Sequence, residues 1–493
     1  MQIGKWSSAV FAAGLILPPV AAHTARTTAS TAEGTNRAVL AEGDSTRRVL
    51  SSAADRDRVT ITVYNQNFGL VREVRTIPVG SGIAELEFAD VASAIQTETV
   101  HIRSLDEPFR VLEQNYHYDL LSPQKLLEKY VGRTVRIHRY NQETEREEVV
   151  EAEVLAVNDG TILRIGDEIT FNYPGRIAFP EVPDNLISKP TLLWLVDSGA
   201  GRQQLEVTYL TGALNWKADY VMVLNHDDDE ASLTGWVTLA NNSGASYENA
   251  ELKLVAGDVQ RVGRDEMMDY AARVTAAEAG KQNFTEQSFF EYHLYTLGRP
   301  ATVRNNEQKQ VTLLEAQAFG VQKRLTFYGA EHYYRSQYGL VVSNQKVGVY
   351  LEFDNSEQNQ LGMPLPAGVV RVYKADASGA QQFIGEDRID HTPRDERLRI
   401  RMGDAFDVVG DRRQMRWTPL GGCTSESEWE IQLRNHKDEA VRIDVLEPIG
   451  GDWQMLRSTH PARRLDAHTF KFDVPVAARG STTVSYTVRV RWC

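Results

Sequence analysis

The sequence predicts an all-β protein of tandem antiparallel β-sandwich (immunoglobulin-like) domains, with an inserted small β-barrel and one or two short helices. One pattern occurs three times: an alternating apolar strand runs to an Asn-bearing polar tip, and a second alternating strand follows. Alternation with a period of two is typical of strands with one buried and one solvated face. Asn and Gly at the tips favour turns, since they adopt conformations that most residues avoid. The three copies cover residues 236–255, 347–373 and 429–445.

Length and composition indicate a soluble globular protein with several domains. The 493 residues are too many for one core, and the 42% hydrophobic and 25% charged content is ordinary. The net charge of −13 disfavours nucleic acid and anionic membranes as general partners, because both require clustered Lys and Arg. We expect no transmembrane segment in the mature chain, because no later apolar stretch is long enough.

The N-terminus has the pattern of a secretory signal. Lys5 precedes an apolar run from Ala9 to Val20, and the small residues Ala21 and Ala22 suit cleavage. We therefore expect a signal peptide at 1–22 and a periplasmic or extracellular protein. A disordered leader is expected at 23–58, which is rich in Ala, Thr, Ser and Arg and lacks sustained periodicity.

An N-terminal β domain is predicted at 59–120 and an inserted small β-barrel at 121–189. Ser122 suits a helix N-cap, Pro123 the first helical position, and Gly132 the position after a helix end. The short strands that follow favour a barrel, because closure removes exposed edges. The two ends of the insert should be adjacent, since inserted domains begin and end at neighbouring surface points.

The remaining chain is predicted to form a central β domain at 190–325, a β-sandwich at 326–422 and a C-terminal β-sandwich at 423–493. The central domain contains an insertion, in which residues 265–279 have helical spacing and aromatic strands follow. The chain has two cysteines, Cys423 and Cys493. In an exported protein they either form a disulfide or remain two thiols, and their spacing does not decide between these alternatives.

Six segments, in order, resemble an uncharacterised family of bacterial exported proteins, a domain of unknown function related to the mucoidy-inhibitor A proteins. The matching segments are YNQNFGLVRE (64–73), LLEKYVG (126–132), YLTGALNWKADY (209–220), LVAGDV (254–259), PLPAGVVRVY (364–373) and LRNHKDE (433–439).

The resemblance implies a link to surface polysaccharide through the mucoidy name, and it implies no catalytic residues. The longer members of that family carry a coiled coil between the N-terminal and central β regions. This chain resembles a short form without it, because the inserted barrel occupies that place and no heptad-rich stretch is found there. Whatever assembly the coiled coil provides is therefore not expected here.

Asp197 begins an Asp-Ser-Gly triplet after an apolar strand, as in aspartic proteases. Those enzymes need two such aspartates that share one proton. The sequence has no second triplet, so a working pair would require a dimer. The alternative is a polar turn between two strands, with glycines for the turn.

The acidic run from His226 to Glu230 could offer oxygen ligands to Ca²⁺, but it lacks the spacing of an EF-hand loop. A solvated hairpin tip is the simpler interpretation.

The other histidines are scattered without zinc-site spacing. The aromatic residues could stack on sugar rings or a partner, or face a core. The histidines are His293, His332, His391, His436, His460 and His468, and the aromatic residues are Phe289, Phe290, Tyr292, Tyr295, Tyr333 and Tyr334.

We therefore expect a non-enzymatic envelope protein that binds or scaffolds through its sandwich surfaces, with an envelope protein or polysaccharide as partner. No catalytic, cofactor-binding or metal-binding residue and no cofactor is predicted, and the oligomeric state stays open. The alternative is an envelope hydrolase, a protease or glycan-active enzyme, with acidic residues assembled from distant loops. Ionisable side chains that meet in one deep pocket would favour the hydrolase.

Overall fold

The fold is all-β, as the alternating pattern predicts. The computed structural model describes residues 46–141, 145–158, 160–171, 173–183, 186–199, 201–257, 259–261 and 284–493. Strands hold 66% of the residues and helices 5%. Within these ranges, no helix is long and apolar enough to cross a membrane. The predicted signal peptide, most of the leader and the predicted helix at 265–279 lie outside the described residues.

Two sheets face each other in the central part of the molecule. The eight-stranded sheet has the order β17-β18-β16-β2-β3-β13-β5, and β19 pairs with β16. The five-stranded sheet has the order β20-β15-β14-β23-β24. The strands of the first are β2 Arg56–Tyr64, β3 Phe68–Ile77, β5 His101–Ser104, β13 Gln203–Gly212, β16 Tyr247–Ala256, β17 Phe284–Phe289, β18 Tyr292–Leu297 and β19 Ala301–Val303. Those of the second are β14 Leu214–Leu224, β15 Glu230–Asn241, β20 Glu307–Gly320, β23 Gly368–Ala375 and β24 Gln381–Ile389.

A four-stranded sheet completes this core. Its order is β1-β4-β12-β6, with β1 Arg47–Ser51, β4 Gly82–Ala89, β12 Thr191–Ser198 and β6 Phe109–His117. The three sheets share one hydrophobic cluster, to which they contribute the fully buried side chains of Trp194, Tyr209 and Tyr220. The period of two explains this, because the alternate residues of β12 and β14 point into the cluster.

A nine-stranded sheet forms the C-terminal part and encloses a second hydrophobic cluster. Its order is β28-β31-β26-β25-β22-β21-β27-β30-β29. The strands are β21 Gln322–Tyr328, β22 Leu340–Asp354, β25 Arg397–Gly421, β26 Thr424–Asn435, β27 Val441–Pro448, β28 Asp452–Ser458, β29 Ala462–Asp466, β30 Thr469–Val476 and β31 Ser481–Arg491.

Strands β22 and β25 connect the two clusters. Leu351 of β22 and Ile400 of β25 are buried in the first cluster, whereas Val347 and Val408 of the same strands are buried in the second. The two strands pair with each other along most of β22. Each therefore crosses from one core to the other without an intervening linker.

The insert has its own core and its ends are adjacent, as predicted. Helix α1, Pro123–Lys129, is capped by the Ser122 side chain, which accepts the Lys125 N–H at 3.1 Å. The Leu121 N–H donates to the Ile187 carbonyl at 2.9 Å, which joins the two ends. The five strands form a nearly closed sheet of order β10-β9-β8-β7-β11 around a third cluster. They are β7 Thr134–Asn141, β8 Arg146–Ala156, β9 Ile162–Ile165, β10 Glu168–Phe171 and β11 Arg176–Ala178.

Short 3₁₀ turns and one disulfide complete the described structure. Cys423 and Cys493 form the disulfide, with their Cα atoms 5.8 Å apart. It ties the β25–β26 hairpin tip to the second residue after β31. The residue boundaries assigned to the domains stay predictions. The 3₁₀ turns are Ala53–Asp55, Thr97–Thr99, Glu331–Tyr334 and Glu357–Asn359.

The Asn residues of the three repeated tips are buried, and they are not the turn residues that the sequence pattern indicates. We call Asn241, Asn355 and Asn435 the corner asparagines; they are 0%, 0% and 1% exposed. Each side-chain amide donates to two backbone carbonyls, and each amide oxygen accepts a backbone N–H from the tip. The positive φ angles occur instead at residues such as Gly244 and Gly362.

Candidate functional site

A cleft of about 350 Å³ lies where three parts of the chain meet. The turn between β14 and β15 supplies Asp229, and the Val321 N–H at the junction of β20 and β21 donates to the Asp229 carbonyl at 2.8 Å. Strands β22 and β25 supply the opposite side. The lining residues are Asp229, Gly320, Val321, Gln322, Glu352, Phe353, Asp354, Asn359 and Arg397.

The carboxylates of the cleft are held by neighbouring donors. Arg397 Nε donates to Asp354 Oδ1 at 2.8 Å. Glu352 lies between two guanidinium groups, with Arg399 Nε at 3.2 Å and Arg324 Nε at 3.6 Å. Asp229 Oδ1 accepts a hydrogen bond from the side-chain amide of Asn225 at 2.6 Å. Ionisable side chains do meet in this cleft, but arginines neutralise two of its three carboxylates.

A patterned polar surface runs from the cleft along β22 and β25. In the antiparallel register Asp354 lies opposite Arg397, Glu352 opposite Arg399, and Tyr350 opposite Arg401. Residues two apart on a strand point to the same side, so each strand presents its three side chains on one face. We call this surface the arginine–tyrosine face; it consists of Tyr328, Tyr350, Glu352, Asp354, Arg397, Arg399 and Arg401.

Arg399 organises the centre of this face. Its guanidinium carbon lies 3.9 Å from the centroid of the Tyr350 ring, a cation–π contact. Its Nη1 donates to the Tyr328 hydroxyl at 2.6 Å, and its Nη2 donates to the Thr326 hydroxyl at 2.9 Å. These contacts, together with Glu352, fix a planar donor group between two aromatic rings at the surface.

Residues 205–493 match the protein family described as "Domain of unknown function (DUF4139)". The chain belongs to this family. No curated protein matches the chain. The cleft, the arginine–tyrosine face and the three corner asparagines all lie in the DUF4139 region, whereas the inserted barrel precedes it.

Asp197 lies on a strand of the four-stranded sheet and not at a catalytic turn. It is on β12, opposite Ile83 of β4 and Arg110 of β6. Arg110 Nη2 lies 3.7 Å from its carboxylate, and its side chain is 45% exposed. This environment is that of a surface ion pair on a strand; the turn between β12 and β13 follows Ser198 and does not include Asp197.

The acidic turn is tied to the DUF4139 sheets by lysines. Asp228 forms ion pairs with Lys323 at 2.6 Å and Lys374 at 2.5 Å. Burial alone would raise the pKa of Asp228, but the hydrogen bonds and charges of the two lysines outweigh it and lower that pKa. Asp227 is 77% exposed beside His226. Asp228 and Asp229 thus have different partners, since Asp229 accepts from Asn225. The part of the chain that the structure describes contains no group of three metal-ligating residues.

Three of the histidines named above have separate partners elsewhere in the fold. His293 Nδ1 lies 2.8 Å from Glu286, His391 Nδ1 accepts the Ala367 N–H at 3.2 Å, and the His332 ring packs on Tyr333. Each has a local structural partner, so these contacts do not assemble a catalytic site.

The aromatic residues are divided between core and surface. Tyr295 and Tyr334 are each 1% exposed, which places them in the two large cores. Tyr333 packs against the second core, while Tyr292 is half-buried in β18. Phe290 lies at the surface: it is 81% exposed and has a φ of 60° in the turn before β18. The Phe289 side chain is outside the described residues.

A buried polar cluster that the sequence pattern did not indicate lies in the second core. Arg412 forms an ion pair with Glu447, and both side chains are 0% exposed. The Tyr334 hydroxyl lies 2.8 Å from both Glu447 Oε2 and the Tyr486 hydroxyl. Burial raises the pKa of Glu447, although the Arg412 charge favours the carboxylate. A Cβ at Gly329 would lie 2.3 Å from the Glu447 carboxylate, so a larger residue there would require Glu447 to move.

A second buried ion cluster lies in the first core. Glu73 accepts from Arg56 Nε at 2.6 Å and from Arg75 Nη2 at 3.1 Å, and the Glu73 and Arg75 side chains are 0% exposed. The Arg75 guanidinium carbon lies 3.4 Å from the centroid of the Phe88 ring. Neither cluster opens into the cleft described above, so we interpret both as structural.

The arginine–tyrosine face has a sequence signal that is visible once the pairing is known. Residues 397–401 read Arg-Leu-Arg-Ile-Arg, and residues 350–354 read Tyr-Leu-Glu-Phe-Asp. Each is an alternating strand whose polar positions carry charge or an aromatic ring. The missing information was the register, because either strand alone also fits a solvated face.

Proposed function

We propose that this DUF4139 protein is an exported, non-enzymatic envelope protein that acts by binding a partner through its sandwich surfaces. It would be directed out of the cytoplasm by a signal peptide at 1–22 and act in the periplasm or at the cell surface. Its partner would be an envelope protein or polysaccharide, in keeping with the proposed relation to the mucoidy-inhibitor A proteins.

The pairing of the cleft carboxylates carries this proposal. A general acid or base must change its protonation state during the reaction and needs a pKa near the working pH. The carboxylates of Glu352 and Asp354 are instead engaged in ion pairs, with Arg399 Nε at 3.2 Å from Glu352 and Arg397 Nε at 2.8 Å from Asp354. Such fixed charges suit recognition by hydrogen bonds better than proton transfer.

One observation favours the second candidate, a glycan-active hydrolase. Glu352 and Asp354 point to the same side of β22, and Asp229 lines the same cleft. Glycoside hydrolases use two carboxyl groups on either side of the scissile bond. In this alternative Asp229, which contacts no arginine among the described residues, is the general acid.

The first experiment tests export and role. The mature protein is recovered from cell fractions and its N-terminus is sequenced; the proposal expects processing near residue 22 and recovery outside the cytoplasm. Deletion of the gene should change the surface polysaccharide or the integrity of the envelope. A cytoplasmic, unprocessed protein would contradict the proposal.

The second experiment separates binding from hydrolysis. Purified protein is incubated with the polysaccharide of the producing bacterium, and newly formed reducing ends are measured; we expect none. A variant with Asp197→Asn and neutralised acidic residues at 227–230 should restore the wild-type envelope. Release of reducing ends that is lost in Asp229→Asn would establish the hydrolase instead.

A further inference from the structure

We propose that the arginine–tyrosine face and the adjoining cleft bind an uncharged segment of a saccharide chain. This inference rests on the proposed function and specifies its ligand class at one site. Saccharides present vicinal hydroxyl groups that both donate and accept hydrogen bonds. The face presents matching groups in alternation, with guanidinium donors on β25 and carboxylate acceptors on β22.

The groups of this face keep hydrogen-bonding capacity after their internal contacts are made. A guanidinium has five N–H donors. Arg399 directs Nη1, Nη2 and Nε to Tyr328, Thr326 and Glu352, which leaves two N–H groups without a partner among the described residues. Each carboxylate oxygen can accept a second hydrogen bond. A hydroxyl can therefore bridge donor and acceptor without breaking an ion pair.

The charge balance indicates an uncharged ligand. Arg397 is paired with Asp354, Arg399 with Glu352, and Arg401 with Asp404 at 3.0 Å. An anionic ligand would lie close to these carboxylates and be repelled by them, and it would also approach a chain of net charge −13. Hydroxyl groups avoid both costs.

The outer residues of the site are exposed and lie on continuous strands, which suits binding of an extended chain. The side chains of Arg397, Arg401 and Asp354 are 58%, 55% and 49% exposed. They lie on strands that continue into both hydrophobic cores, so little ordering is required on binding. The polar row extends along β22 from Tyr350 to Asp354 and opens into the cleft beside Asn359.

The test uses matched oligosaccharides. Acidic oligosaccharides from the surface polysaccharide of the producing bacterium are one probe, and the same oligosaccharides with their carboxylates reduced to alcohols are the other. Isothermal titration calorimetry with the mature protein should show that the reduced form binds more tightly. Its Kd should change less than about twofold between low and high salt, because few charges are neutralised. Binding of the acidic form alone, or of neither form, would overturn the inference.

Matched variants locate the site. Arg399→Lys keeps the charge but loses the planar fork, and Asp354→Asn removes an acceptor at an exposed position; each should weaken binding of the reduced oligosaccharide at least about tenfold. Arg489→Ala is the control, since Arg489 forms an exposed pair with Glu426 elsewhere in the same sheet. Circular dichroism should show that all three variants remain folded. Wild-type affinity in both site variants would refute this location.

These results can be separated from the test of the proposed function. Export and the envelope phenotype are measured in cells with the wild-type gene and its deletion. If the deletion changes the envelope but neither oligosaccharide binds, the ligand assignment is wrong and the scaffolding role stands. If the reduced oligosaccharide binds but the protein remains in the cytoplasm, the envelope role is wrong and the binding site stands.

Discussion

The corner asparagines allow a strong test of the repeated architecture. In Asn435→Ala the carbonyls of Glu439 and Ala477 lose donors at 2.7 and 3.0 Å, and the Lys437 N–H loses an acceptor at 3.1 Å. A buried polar group that loses its partner costs about 1–3 kcal/mol, and water can reach those groups near the tip. Asn435 itself is 1% exposed. We therefore expect a loss of about 2–4 kcal/mol in the free energy of unfolding.

The same substitution should have a similar cost at the other two corners. Asn241 donates to Ala245 and Val303, and Asn355 donates to Met363 and Pro393, so both perform the same task. An Asn→Asp change keeps the shape but replaces the donor by a charged acceptor that faces two carbonyls. It should therefore cost at least as much as Ala at each corner.

Hydrogen exchange measured by mass spectrometry is the appropriate assay, because a protein with several cores need not unfold in one step. Protection of the peptides that contain β15, β22 and β26 gives the local free energy at each corner. The control is Asn242→Ala: Asn242 is adjacent to Asn241 but exposed, so its replacement should cost less than about 0.5 kcal/mol. Losses below about 1 kcal/mol at two corners, or tolerance of Asp, would refute the reasoning.

Three further predictions concern stability. Arg434 lowers the pKa of Asp411 to about 2, so the folded-state pKa lies below the unfolded one; this stabilisation is present above pH 4 and lost as the pH falls toward 2. As the pH falls, the free energy of unfolding of the wild type should decrease by about 1–2 kcal/mol more than that of Asp411→Asn. An equal decrease in both proteins would contradict this. Replacing Cys423 and Cys493 by Ser should lower the free energy of unfolding by about 2–4 kcal/mol and make it insensitive to reductant. Replacing 122–188 by a short Gly/Ser linker should leave the other cores folded, because the ends of the insert are hydrogen bonded; loss of soluble protein would show that they depend on it.

Local sequence rules predicted local structure well. Ser122 and Pro123 define the start of helix α1 through capping and backbone conformation, which depend only on neighbours in the chain. The helix ends at Lys129, and Gly132 lies two residues beyond its C-cap, Tyr130. Alternation likewise predicted the strands of the repeated pattern, such as β15 and β26, whose inward residues are buried. In each case the physical cause acts within a few residues.

Pairing between distant strands could not be predicted in this way. β2 pairs in parallel with β16, and β14 pairs in parallel with β23, although long stretches of chain separate them. Alternation shows which face of a strand is buried but does not choose its neighbour. The arginine–tyrosine face was missed for this reason, since it exists only when β22 and β25 lie side by side in one register.

The buried clusters show a second limit, because burial of a charged residue depends on its partner. Arg412 and Glu447 occupy inward positions of alternating strands, where apolar residues are the usual expectation. They are tolerated because each neutralises the other and because Tyr334 adds a hydrogen bond. Neither residue alone indicates this. A charged residue that breaks an otherwise regular apolar face is thus informative only together with its distant partner, and in this chain the same condition applies to the buried pair and to the exposed face.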